Sequence, residues 1–569
     1  MKKIVCLLLA LALFVSIAAC GGSGKQQSPA PTSTGGGGGP SISAPETPTA
    51  PEAKEGVQME KLPHPAGEII RYITPSPTKY EKADKSTLYI GQTGVPIQNG
   101  NPGSGSDSAF YPLVFDRLIE FDYDTGGVAP MVIKDWKLSE DAKTLDITMR
   151  DDITFHNGQK ATIDDLLYSL WRYSKVELAN LTDKNIYGNI DYDKSEKTGD
   201  YSARLILKEP SVSMIRGFTS GYLLCKEHLE TNGEENGWWD NVVGSGPYKV
   251  ESIIQGDRYN LVKNDNYWGE YKPVFDKVVI RYYPEASTMY MDYETGALDI
   301  AVNPLAVDVN RVINGEVNNT ICDIYPMLFL AYLGFNEEKN PILYDINVRK
   351  AIILSIDQEI VAKMAFDFMA VPTTSLMHTG MGGKVEWGIQ RDVEAAKAAL
   401  AESGYKPSDI KLVLGTSTNN VNMAVAEAIQ AQLLEVGFQV EMITTDPQTN
   451  LNNLRNAGPD TYDITQGFVQ YINLDQNALI QAMSKATGST YFATVSDEKA
   501  EELAYKQKTA LTQEEKEAAA EELQKYLYET WWFAPLFEQK VAIIYRDYIT
   551  GIRAVAGRSP NVNAVKIVG

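Results

Sequence analysis

Phe115-Asp116-Arg117-Leu118, Val128-Ala129-Pro130, Asp135-Trp136, Leu145 to Arg150, Ile153-Thr154-Phe155-His156-Asn157-Gly158 and Ala161-Thr162-Ile163-Asp164-Asp165-Leu166 follow one another between Leu113 and Arg172. Leu145 to Met149 is β-like, as is Arg204 to Leu207 further on, and Asp, Asn and Gly turns separate such segments. Thr162 with Asp165 three residues later forms a capping box, and Leu166, Leu170 and Tyr173 recur at helical spacing behind it. The spacing predicts a helix with one buried face. Strands and helices therefore intermix here, and the large side chains of Trp136 and Phe155, beside their turns, are expected to lock strand corners. His156, between Phe155 and Asn157, is expected to be a hydrogen-bonded turn residue.

The same alternation continues outward. Before this stretch, Leu88-Tyr89-Ile90 reads as a strand that breaks into a Gly- and Asn-rich loop ending near Asp107. After it, Asp392 can cap a helix from Val393 to Glu402 that stops at Gly404. A second helix, from about Ala424 to Glu435, stops at Gly437 and leads into the strand-like Phe438 to Ile443. Thr512 with Glu515 caps a further helix running towards Trp531 and Trp532, and Val541 to Tyr545 reads as another strand. No internal repeat is present, and the alternation predicts an α/β body.

At the N-terminus, Lys2 and Lys3 precede an apolar run from Ile4 to Val15 that ends in Ile17-Ala18-Ala19-Cys20. This is the pattern of a secretory leader over residues 1–19. The run is shorter than the ~20 residues a helix needs to cross a bilayer. The four residues ending at Cys20 resemble the lipobox of bacterial lipoproteins, which implies a diacylglycerol on the Cys20 thiol and stable membrane attachment through two or more acyl chains. Gly, Ser, Pro, Thr, Ala and Gln dominate from Gly21 to about Glu55, a composition that cannot bury a core. Residues 20–85 are therefore expected to be the lipidated cysteine and a flexible linker, with a reach of about 30–35 Å for roughly 35 coil residues.

The rest, roughly 510 residues, exceeds what one core supports, so two or more lobes are expected. The formal net charge is −22, and loss of Lys2 and Lys3 with the leader makes it −24. So acidic a body repels nucleic acid and anionic headgroups. Cys225 and Cys322 remain as ordinary cysteines, free or joined in one disulfide. His64, His156, His228 and His378 lie far apart without metal-ligand spacing, so neither metal nor cofactor is expected. Enzyme signatures fall short as well. Gly380-Met381-Gly382-Gly383-Lys384 is followed by Val385, without the hydroxyl residue and spacing of a phosphate loop, and no serine or cysteine sits in a nucleophile context.

Together with the opening stretch, three later segments carry a resemblance. They are Gly244-Ser245-Gly246-Pro247-Tyr248-Lys249-Val250 with Asn264 to Gly269, then Tyr293 to Ala301 with Gly296, Asp299 and Ile300, and then Leu333-Gly334-Phe335-Asn336 through Val348-Arg349-Lys350-Ala351-Ile352 to Ser355-Ile356-Asp357. In this order they resemble family 5 of the bacterial extracellular solute-binding proteins, the oligopeptide- and dipeptide-binding receptors of ABC importers. Ala297-Leu298 departs from the family's acidic turn.

The resemblance implies a two-lobed α/β fold of the periplasmic-binding type (type II, large peptide-binding subclass), with an extra subdomain in the first lobe. The implied division is lobe I over 86–324, with an insert at about 114–242, lobe II over 325–535 and a return to lobe I over 536–569. It implies a non-enzymatic, monomeric receptor that passes a small solute, a peptide in the leading reading, to an ABC permease; the Gly-rich spacer after Cys20 resembles those of Gram-positive lipoproteins and implies a tether through Cys20 to the outer face of a Gram-positive membrane. Gln92 and Thr93, at the end of the first strand, are implied to face the cleft. Peptide binders of the family place an aspartate three residues after a Gly-Trp pair to neutralise the peptide's amino group. Here Gly467-Phe468 is followed by Tyr471. Either Asp475 takes over that role or the ligand has no free amine, and Phe468 and Tyr471 form an aromatic platform for a sugar, nucleoside or hydrophobic side chain, or else belong to the core of the second lobe. A ligand-sensing lipoprotein is the remaining alternative.

Overall fold

Two segments with far more consecutive strand-forming residues than the usual five or six carry both halves of the molecule. Thr320–Phe335 spans 16 residues and Phe533–Arg546 spans 14, and they pair antiparallel along their length. In this computed structural model they form the middle of a 13-stranded sheet. On one side of them lie Ile300–Val302, Thr87–Gln92, Lys277–Tyr282, Arg258–Lys263 and Tyr248–Ile254, and on the other Ile464–Gln470, Lys411–Ser417 and Gln439–Thr445. The structure describes residues 51–77, 86–93, 99–102, 109–122, 125–175, 186–239, 241–456, 461–471, 474–483, 497–553, 562 and 565–567. Residues 1–19 and Cys20 lie outside them.

The pairing of the two long strands is broken twice. Met327 to Phe329 face the single residue Gln539, because Pro326 pairs with Lys540 and Leu330 with Glu538. On the opposite strand Leu536 is the extra residue, between the pairs Ala331–Phe537 and Tyr332–Pro535. Pro326 has no N–H to give a ladder, and Leu328 has a left-handed φ of 57°. Such bulges bend and twist a ribbon locally. The apolar cores divide at the same place. Cys322, Ile324 and Tyr325 pack with the first half, whereas Leu330 to Leu333 pack with the second.

The inserted unit is a four-stranded antiparallel sheet, Ile133–Leu138, Thr144–Met149, Ser202–Ile206 and Glu196–Gly199 in spatial order, with the helix Ile163–Tyr173. Thr162 and Asp165 close the expected capping box. Asp116 is buried and accepts from Tyr267 Oη at 2.8 Å and Trp268 Nε1 at 2.7 Å, so the quoted motifs meet in one scaffold contact. His156 is a turn residue: Gly244 N donates to its Nδ1 at 3.2 Å, which leaves Nε2 to donate to Gly246 O at 3.0 Å, and burial drives its pKa down to about 4.

The later helices end at Gly404 and Gly437, both left-handed, as their sequence predicts. The second of them starts earlier than the apolar spacing suggests, at Asn420, because Asn419 accepts from Val421 N and Asn422 N. Cys225 and Cys322 are separate buried thiols, and no disulfide joins them.

One expectation is corrected. Gln58–Leu62 and Ile69–Ile73 lie inside the span read as linker, yet they are strands, and Ile70–Ile73 pairs with Ile321–Ile324. Burial of Ile69, Ile70 and Tyr72, with the forked contact of Arg71 to Asp323 at 2.7 and 2.9 Å, outweighs the loop-forming composition around them. Between these strands Pro65 rests against Gly126, Gly380 and the core of the second half, where Ala66 is buried.

Candidate functional site: the seam between the halves

Strand direction locates the site. Thr87–Gln92, Lys277–Tyr282 and Ile300–Val302 run parallel, and register aligns their last residues with Ile543, a few positions before the broken pairing. Ile464–Gln470, Lys411–Ser417 and Gln439–Thr445 are also mutually parallel, and Gln470 aligns with Phe329 inside the break. Both sets therefore point their carboxyl ends at the same seam, the place where open α/β sheets bind ligands.

On the first side, Gln92 is buried, its carbonyl accepts from Tyr283 N at 2.9 Å, and Thr93 Oγ1 donates to Asn303 O at 3.3 Å. Asn303 holds a left-handed φ of 58° as the chain leaves its strand. On the second side, Phe468 meets Phe329 edge to face, with centroids 6.3 Å apart. Gly467 beside it has no side chain, because the Tyr332 ring occupies the space a Cβ would need. Gln466 is buried, and neither atom of its amide has a hydrogen-bond partner among the described residues. These edges carry amides, hydroxyls and rings.

The remaining predicted residues lie past the strand end. Tyr471 is fully buried, its N–H donates to Leu328 O at 2.9 Å and its hydroxyl to Leu376 O, so it takes the core position and not that of a platform. Asp475 does not stand free to receive an ammonium: Lys516 Nζ lies 2.7 Å from its Oδ1. Burial would raise the Asp475 pKa, but the charge and hydrogen bond of Lys516 outweigh it and hold the carboxyl below its usual range.

A polar cluster that the sequence does not announce flanks the seam on the crossing strand itself. Glu538 Oε1 accepts from Thr379 N at 2.9 Å and Thr379 Oγ1 at 3.0 Å, and Lys384 Nζ lies 3.4 Å away. His378 Nε2 lies 3.4 Å from Glu538 Oε2, and burial lowers the histidine pKa. The residues come from segments about 160 positions apart, and no local pattern links them. No group of three or more His, Cys, Asp or Glu side chains suited to a metal occurs among the described residues.

Comparison with known proteins agrees with this architecture. The model of "Bacterial extracellular solute-binding proteins, family 5 Middle" matches residues 127–491. The dipeptide-binding protein of Escherichia coli is 26% identical over 395 residues, 63% of this chain and 71% of that protein. The periplasmic oligopeptide-binding protein OppA of Salmonella typhimurium is 25% identical over 446 residues, 73% and 80% of the two chains. Among solved structures, a Pseudoalteromonas dipeptide-binding protein in complex with Met-Leu superposes with a TM-score of 0.74 at 18% identity, over 85% of this chain and 100% of that one. AgaA from A. tumefacien, in complex with agropinic acid, gives 0.71 at 21% identity, over 85% and 99%. The fold is the two-lobed α/β type II architecture of these binding proteins.

Proposed function

We propose, from the premise that this chain belongs to family 5 of the bacterial extracellular solute-binding proteins, that it captures an oligopeptide between its lobes and delivers it to an ABC importer while acyl chains on Cys20 hold it at the outer face of the membrane. The observation that carries this reading is the convergence of two sets of strand ends on one seam, bridged by two strands whose pairing is broken there. A ligand shuts such a pair of lobes only by binding the closed form better, so polar groups from both edges must reach it. Gln92, Thr93 and Phe468 are the residues assigned to that contact, and the protein releases its solute chemically unchanged.

A second reading keeps the receptor role but replaces the peptide with a non-peptide solute. It is favoured by Tyr471 in the core and by Asp475 already paired with Lys516, which leave neither side chain to neutralise a peptide's amino group. Calorimetric titration decides. Binding of free-amino peptides that is lost on N-terminal acetylation supports an amine-anchored peptide, and binding of sugars or nucleosides alone supports the second reading. Retention of a Cys20→Ser variant at the membrane would overturn the lipid anchor.

A further inference from the structure

The inserted unit meets the second lobe through a buried polar junction that neither strand edge uses. Ser213 precedes the short helix Met214–Gly217 of the insert, while Asn477 and Lys516 belong to the second-lobe helices Asn477–Met483 and Gln513–Glu529. Ser213 Oγ accepts from Lys516 Nζ at 2.9 Å and from Asn477 Nδ2 at 3.3 Å, from residues 303 and 264 positions later. Beside them Lys508 Nζ lies 2.6 Å from Glu209 Oε2. Arg216 Nη1 donates to Gly126 O at 2.7 Å and fixes the insert's side of the junction.

Lys516 is 1% exposed. A lysine ordinarily keeps its ammonium in water, and a buried one is tolerated only when paired and hydrogen-bonded. Asp475 supplies the counter-charge from Lys516's own lobe and stays with it in any arrangement of the lobes. Ser213 comes from the other lobe. Separation therefore strips Lys516 and Asn477 of a partner and wets the Asp475–Lys516 pair, whereas contact restores both hydrogen bonds at once.

We propose that Ser213 and Glu209 of the insert, with Asn477, Lys508 and Lys516 of the second lobe, form a closure clasp that sets the balance between parted and shut lobes. The insert then controls closure without touching solute. The clasp rests on the receptor reading for its purpose, though not for its test.

Hydrogen exchange followed by mass spectrometry on the full chain tests it. Ser213→Ala should speed exchange of the second-lobe segment 474–483 by roughly ten- to a hundredfold, the effect of one charge-assisted hydrogen bond on local opening. Lys516→Met should do the same to the insert segment 209–217. Glu209→Gln should act more weakly, and 0.5 M salt should bring wild type to its level. Each readout lies across the junction from its substitution, so a loss of local packing alone does not move it. Unchanged exchange across the junction in both Ser213→Ala and Glu209→Gln overturns the clasp, even if Lys516→Met fails to fold. Faster exchange in a protein that binds no solute in calorimetry leaves the clasp in place and removes the receptor reading instead.

Discussion

Asp116 is fully buried and Asp475 is largely covered, and they are treated in opposite ways. Asp116 receives neutral donors, Tyr267 and Trp268, and burial raises its pKa to about 7. Asp475 receives a buried ammonium, and its pKa falls. The first arrangement joins segments of one lobe and never has to come apart. The second stands at a junction between lobes, where a charge pair tolerates water when the junction opens and a lone buried carboxyl contact would gain nothing from it. The difference separates a side chain that builds the scaffold from one poised at a moving boundary.

The contrast can be broken or sharpened by substitution. The largest effect is expected for Lys516→Met, which strips the largely covered Asp475 of its ion-pair partner and should cost about 3–5 kcal/mol in urea unfolding of the second lobe. Asp116→Ala leaves the Tyr267 hydroxyl and the Trp268 indole N–H without their acceptor, and calorimetric unfolding should show a loss of about 2–4 kcal/mol. Equal tolerance of both changes would erase the distinction.

The pH profiles should differ in sign. A raised Asp116 contributes stability that is full below the ordinary carboxylate value and is lost as pH climbs towards about 7. Relative to Asp116→Asn, wild type should therefore lose up to about 1.4 kcal/mol per pH unit between pH 4 and 7. A depressed Asp475 contributes stability that is present above the ordinary value and is lost as pH falls through its lowered pKa. Relative to Asp475→Asn, wild type should weaken only in acid. The smallest change is expected for Glu209→Gln, whose half-exposed pair with Lys508 should be worth less than about 1 kcal/mol in global stability.

Legibility in sequence follows the same division. The capping box at Thr162, the glycine stops at Gly404 and Gly437 and the motif pieces that meet at Asp116 are local patterns, or sets of local patterns, and each is legible in the order of its own residues. The Lys516–Ser213 contact joins residues 303 positions apart, and Lys516 stands among Glu514, Glu515 and Glu517 in its helix's charged first turn, where no neighbour in the sequence marks it for burial. The hairpin of Gln58–Leu62 and Ile69–Ile73 is illegible for a related reason: its second strand pairs with Ile321–Ile324, about 250 residues away, and local composition does not register that partner. Tyr471 reads equally as aromatic surface or as core, and the acceptor that settles the matter, Leu376 O, comes from a distant loop.

The fork between Arg71 and Asp323 has a mechanical consequence. It stitches the hairpin Gln58–Ile73 to the crossing strand just before the bulge at Met327, and with Lys54 N donating to Ile313 O it makes the incoming polypeptide travel as one body with the first half of the molecule.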